Sequence, residues 1–259
     1  MSLWQDFMTN DGKVIHKWAH YFPVYEKHFS RWRNQSLVFW EVGVYGGGSL
    51  QMWQRYFGPN AIIIGLDINT RCKEHESPGI HVRIGDQADT KFLSSVIEEF
   101  GPPDVLLDDA SHHMDPTWKL FEYVYPQMPK NSVYMVEDMH TSYWPRWGGG
   151  VDVETSFINR SKKLIDELNA DHSKGVIEPT EFTRTTGSIS FYDSIVVFEK
   201  SNVWWKSGFR TGAEDLVKTI DEPRRSRAAA NAGGEGGAPG NAEPSSGGEA
   251  SAKASSGSD

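Results

Sequence analysis

Two short acidic stretches hold the residues best suited to chemistry: LDDASHH (Leu107–His113) and VEDMH (Val136–His140). Each closes an apolar run that reads as a β-strand, and adjacent residues of a strand point to opposite faces. If the two strands are neighbours, Asp109 and Asp138 converge above the sheet, with Glu137 close by. Three carboxylates within a few ångströms cannot all stay ionised without a cation. A hard divalent ion with oxygen ligands, Mg2+ first, resolves the conflict and keeps positions open for water or substrate. Zn2+ with the histidines is the alternative, although D-D-x-S-H-H is unlike a structural zinc site. A bound ion lowers the pKa of a sugar or alcohol hydroxyl and stabilises the alkoxide. An imidazole then takes the proton. His112 is the preferred base and His113 the other candidate. Asp108, pointing the other way from Asp109, either touches a cofactor or supports the site.

The first strand-like run supplies a second cluster. It ends in Glu41-Val-Gly43-Val-Tyr-Gly46-Gly47-Gly48-Ser49, which places four glycines between positions 43 and 48. Glycines let a backbone approach a ligand, and the helix that follows offers free N–H groups. The dinucleotide pattern G-x-G-x-x-G fails, because Tyr45 stands two residues after Gly43. A strand-borne acid such as Glu41 before a glycine turn suits a cofactor with a cationic amino-acid part, with Gly43, Gly47 and Ser49 lining the turn. Asp67, at the end of the second strand, is placed for ribose hydroxyls. Asp86 and Gln87, after the third, are placed for an adenine edge. Acids on three successive strand ends fit one extended adenosine ligand, and S-adenosylmethionine supplies a transferable methyl for in-line attack by the activated oxygen. Each acid reads alternatively as a helix cap or turn former.

These residues need a scaffold that presents strand ends side by side. Apolar runs at Leu37–Val44, Ala61–Ile68, Ile80–Asp86, Asp104–Ala110 and Ser132–Met139 alternate with helical patterns at Ser49–Phe57, Thr90–Phe100, Pro116–Met128 and Val153–Asp171. Strands apolar on both faces and separated by helices predict a parallel sheet covered on both sides, an α/β fold. SISFY and SIVVFEK around Asp193 predict a closing antiparallel hairpin. In such sheets ligands bind at the carboxyl ends of the strands. The aromatic segment GKVIHKWAHYFPVYEKHFSRW predicts helices over the sheet edge or the site. The expected organisation is a helical segment or lid at 1–36, a catalytic domain at 37–222, and a disordered tail at 223–259. The tail holds no aromatic or large aliphatic residue and cannot bury a core. The loop after His140 contains Tyr143, Trp144 and Trp147 before a triple glycine. With His113 and His140 it reads as an acceptor-binding loop, or as ordinary packing in a Trp-rich chain.

The net charge of −9 argues against a general nucleic-acid surface. No apolar run approaches the roughly 20 residues that span a bilayer. The first residues lack a signal-peptide pattern, and the single cysteine, Cys72, excludes an internal disulfide, so a cytoplasmic setting is expected.

Taken together, EVGVYGGGSLQMW, GLDIN, IGDQAD, LLDDASHHM, VYMVEDMHTSYW and ISFYDSIVVFEK resemble the macrocin-type sugar O-methyltransferases of actinobacteria, over roughly Leu37 to Lys200. The resemblance implies a Rossmann-like class I methyltransferase fold with seven strands, S-adenosylmethionine, Mg2+, and often a homo-oligomer. It implies metal ligands at Asp109, Glu137 and Asp138 and a general base at His112. The expected activity is methyl transfer to a hydroxyl of a saccharide or glycosylated natural product. A phenolic or catechol-type acceptor, or a nucleotide-binding scaffold without catalysis, stays open from the residues alone.

Overall fold

The computed structural model describes residues 2–201 and 206–209. One compact unit spans Met1–Lys206 and carries everything below. The expected tail at 223–259, and the end of the expected catalytic domain, lie outside the described residues.

Seven strands form one sheet: β1 (Leu37–Val42), β2 (Ala61–Asp67), β3 (Ile80–Ile84), β4 (Val105–Asp108), β5 (Val133–Val136), β6 (Thr186–Tyr192) and β7 (Ile195–Lys200). Their order is β3-β2-β1-β4-β5-β7-β6. The first five pair in parallel, β7 runs antiparallel to β5, and β6 closes the edge as the other arm of the hairpin. The order reverses between β1 and β4, so their carboxyl ends flank the crevice where such sheets bind ligands.

The register explains the continuous apolar runs. Trp40, Leu106, Tyr134 and Phe198 form one row across four strands and pack on one face. The next row, Glu41, Leu107, Met135 and Val197, points to the other face, where Phe29, Trp53 and Phe57 close the core. Glu41 alone in that row is charged, and it is fully buried.

The helices are α1 (Leu3–Met8), α2 (Phe22–Phe29), α3 (Gly48–Phe57), α4 (Thr90–Phe100), α5 (Met114–Val124), α6 (Phe157–Leu168) and α7 (Glu181–Thr185). Local chemistry sets their limits. The Asp89 side chain accepts from the amides of Lys91 and Phe92 to start α4, and Gly101 ends it at a positive φ of 85°. Ser156 caps α6, which therefore begins later than the pattern from Val153 suggested. The fourth and fifth strands are also shorter than their apolar runs. β4 stops pairing at Asp108, and Asp138 turns the chain with a φ of 54°. Among the described residues no helix is long and apolar enough to cross a membrane.

Candidate active site

The turn after β1 is built by close approach. Gly43 has a φ of 102°, and a β-carbon there would overlap the Asp109 carbonyl, so the ends of β1 and β4 meet only with glycine at this position. Gly47 takes a φ of 71° to start α3, and a β-carbon there would run into the His75 ring. Asp67 then ties the turn to β2. Its Oδ2 accepts from the amides of Val44 (2.8 Å) and Tyr45 (3.2 Å), and its Oδ1 from Asn69 (2.8 Å).

A cleft of about 880 Å³ opens over these strand ends. At one end it is lined by Asp67, Asn69, Gly85, Asp86 and Gln87, at the other by Asp109, His112, Glu137 and Asp138, with Gly43 between and Lys17, Trp18 and Tyr21 as cover. Gln87 accepts from the Ser111 amide through Oε1 (3.2 Å), while its buried Nε2 has no partner among the described residues. An unpaired buried donor on a cleft wall is costly unless a ligand accepts from it. Asp86 spends one oxygen on the amide of Ala88 (2.8 Å).

At the other end, Asp109 and Asp138 lie on either side of His112. His112 Nε2 is 3.4 Å from Asp138 Oδ2 and 3.9 Å from Asp109 Oδ1. One donor atom from each of the three falls within 4.8 Å of the others. His112 itself has a φ of 54°, in the left-handed region that few non-glycine residues adopt. Thr141 Oγ1 donates to its carbonyl (3.1 Å) and helps hold it there.

Glu137 turns to the opposite side and is buried against the N-terminal segment. Its Oε1 accepts from the Tyr25 hydroxyl, and its Oε2 from Lys17 Nζ at 3.0 Å. Lys17 also reaches Asp109 Oδ2 (2.6 Å) and Glu41 Oε1 (3.2 Å), with its side chain only 2 % exposed. Burial disfavours the ammonium, but the three carboxylates outweigh it and hold Lys17 protonated above its usual range. Burial likewise pushes Glu137 and Glu41 up, against the pull of Lys17. Tyr21 donates to Asp138 Oδ1 (2.6 Å). Tyr21 and Tyr25 are spaced by four, a sequence signal for hydroxyls on one side of this segment, whereas Lys17 lies in an irregular stretch and carries no such signal.

The remaining expected residues sit around the cleft. Glu41 and Ser49 bond to each other (Oγ to Oε2, 2.6 Å) beneath the turn, where Trp53 Nε1 also reaches Glu41 (3.2 Å), and neither lines the cleft. Asp108 points to the Tyr134 side of the sheet. Burial raises its carboxyl to about 8, and its Oδ2 is unpartnered among the described residues. His140 bonds through Nδ1 to Ser194 Oγ (2.6 Å) and meets Trp144 edge to face, with ring centroids 4.8 Å apart. Trp18, half exposed, continues this aromatic rim from the other side of His140. Tyr143 and Trp144 are exposed, and His113 is exposed beside Trp147.

The strand order with its antiparallel seventh strand, and the cleft at the β1–β4 reversal, define a class I Rossmann-like methyltransferase fold. The solved structure of MycE methyltransferase from the mycinamycin biosynthetic pathway, in complex with Mg, SAH and mycinamycin VI, superposes with a TM-score of 0.67 at 30% identity, covering 77% of this chain and 52% of that one. The chain is 34% identical over 190 residues to 8-demethyl-8-alpha-L-rhamnosyl tetracenomycin-C 2'-O-methyltransferase of Streptomyces olivaceus, covering 70% of this chain and 50% of that protein. It is 33% identical over 199 residues to mycinamicin VI 2''-O-methyltransferase of Micromonospora griseorubida, covering 70% and 48%. The chain thus spans about half the length of the curated relatives it matches. No family model matches it.

Proposed function

We propose that this protein transfers the methyl group of S-adenosylmethionine to a hydroxyl of a sugar carried by a small molecule, assisted by a divalent cation such as Mg2+. The observation that carries the reading is one cleft with a polar end at Asp67, Asp86 and Gln87 and an acid–imidazole end at Asp109, His112 and Asp138. A relative's name supports a sugar hydroxyl over a phenol, since it acts on a rhamnosyl compound.

The donor set fits a hard cation: carboxylate oxygens converge beside one imidazole, half-buried and open to the cleft. Asp109 and Asp138 would hold it, with Glu137 on the deeper side. A bound ion would lower the pKa of the acceptor hydroxyl and stabilise the alkoxide. The other contributions come from the chain itself. Gln87 Nε2 offers a donor to the adenosine part, and Asp67 keeps the glycine turn folded beside it. His112 Nε2 borders the space between Asp109 and Asp138, within reach of a hydroxyl held there, and takes its proton as the oxygen attacks the sulfonium methyl. The carbon–sulfur bond breaks as the carbon–oxygen bond forms, leaving S-adenosylhomocysteine. Trp18, His140 and Trp144 present aromatic faces to the sugar or its aglycone. From the N-terminal segment, His16, Lys17, Trp18 and Tyr21 close over the cleft, while α1 and α2 pack on the core.

Calorimetric titration with S-adenosylhomocysteine tests the first step. Binding is expected in the micromolar range or better, and no binding would remove the methyltransferase reading.

A further inference from the structure

Lys17 belongs to no motif of the proposed reaction, yet it is a fully enclosed cation in contact with three acids. Its Nζ lies 2.6 Å from Asp109 Oδ2 and 3.0 Å from Glu137 Oε2, and so fills the gap between the two carboxylates. An ion ligated by both would need metal–oxygen distances of about 2.0–2.6 Å, and the ammonium already stands in that gap. Two cations cannot share it. We propose that Lys17 is a tethered counter-ion that holds Asp109 and Glu137 in the metal-free protein and withdraws when a divalent cation takes their carboxylates. This rests on the reading of those acids as ion ligands.

Two features make the exchange feasible. Glu137 is buried at the floor of the site, where an unpaired charge is expensive, so without an ion it requires another cation, whereas Glu41 keeps Ser49 and Trp53 as partners. Lys17 is carried by Asn10–Trp18, a stretch in neither helix nor strand. Apart from the ion pairs of Lys17, the stretch is held from outside by four hydrogen bonds, Asn10 N–H to the Phe7 carbonyl (3.2 Å), the Gly48 amide to the Val14 carbonyl (3.2 Å), the Tyr21 amide to the Trp18 carbonyl (3.1 Å) and Lys13 Nζ to His75 Nδ1 (3.0 Å), and by Ile15 packed on the core. Tyr25, by contrast, reaches Glu137 from within α2 and can stay in place. Withdrawal would then free the cover of the cleft as the ion loads, which links metal binding to acceptor entry.

The test uses Mn2+ as the probe and the full chain. Binding is read by electron paramagnetic resonance and residues 10–21 by hydrogen exchange. Saturating Mn2+ should speed exchange over this stretch in the wild type. Lys17→Met should bind Mn2+ at least about tenfold more tightly, because no Lys17-occupied state has to open first, and its exchange should no longer respond to the ion. Mn2+ binding with unchanged exchange in the wild type, or weaker binding by Lys17→Met, would overturn the counter-ion role and leave the ion site standing. No Mn2+ binding by either protein would overturn both. If Lys17→Met does not fold, the wild-type exchange result decides.

Discussion

His112 Nε2 lies 3.4 Å from Asp138 Oδ2, so one imidazole joins the loop after β4 to the turn after β5. Both residues take positive φ values to reach this position, 54° each. Strained backbone of this kind persists where the surroundings over-determine it, and it gathers at functional sites. The pairing puts an imidazole beside two carboxylates on the wall of the cleft that Asp67, Asp86 and Gln87 also line.

His112→Ala should therefore lower kcat by about 10²- to 10⁴-fold, the usual range for a general base. Affinity for S-adenosylhomocysteine should stay unchanged, because Gln87 is held by the Ser111 amide and Asp67 by the glycine turn, not by the His112 side chain. Initial rates of S-adenosylhomocysteine release, paired with calorimetry, give both numbers. A near-normal rate would move the base to another group.

Gln87→Leu removes the unpaired buried donor at the other end. S-adenosylhomocysteine should then bind about tenfold more weakly, the cost of one good hydrogen bond. Mn2+ affinity should not change. Equal binding by variant and wild type would mean that Nε2 faces no ligand.

Tyr25→Phe deletes the hydroxyl that donates to the buried Glu137. A buried acceptor that loses its partner costs about 1–3 kcal/mol. The urea midpoint should fall accordingly with the slope m unchanged. Unchanged stability would show that Lys17 alone satisfies Glu137.

Away from the site, Glu199 on β7 is held by His28 (3.4 Å) and Arg31 (2.9 Å), which bring its carboxyl down to about 2. A folded pKa below the unfolded one gives stability that is present above the unfolded value and lost as pH falls through the folded one. Glu199→Gln should thus be less stable than wild type at pH 7. The gap should close between about pH 5 and pH 2. Denaturant titrations across that range check it, and a gap that widens on acidification would contradict the assignment.

The sheet could be read ahead of the structure because β1, β2, β4 and β5 are buried on both faces, and that burial imposes continuous apolar runs. The acidic strand ends could be read because the runs stop there. Strict alternation also separated Asp108 from Asp109, and the structure shows where each goes: Asp108 behind the sheet with its carboxyl raised, Asp109 toward Lys17. Lys17 itself could not be read. A lysine in an aromatic segment looks like a solvated face, and its partners lie 24, 92 and 120 positions away as Glu41, Asp109 and Glu137. Glu41 was read toward a ligand's ammonium, and in the structure the ammonium it meets is that of Lys17. The turn at Asp138 was also hidden, since a left-handed aspartate inside VEDMH leaves no pattern in composition.

The most direct measurement is mass-spectrometric detection of methyl transfer from S-adenosylmethionine to rhamnosylated or deoxysugar-bearing acceptors, run in Mg2+, after thorough EDTA treatment, and after Mg2+ is restored. The expected result is a product heavier by one methylene on the sugar, lost with EDTA and recovered with Mg2+. Methylation that survives complete chelation would contradict the ion's role at Asp109 and Asp138. Failure to methylate any sugar acceptor while a catechol is methylated would contradict the substrate class.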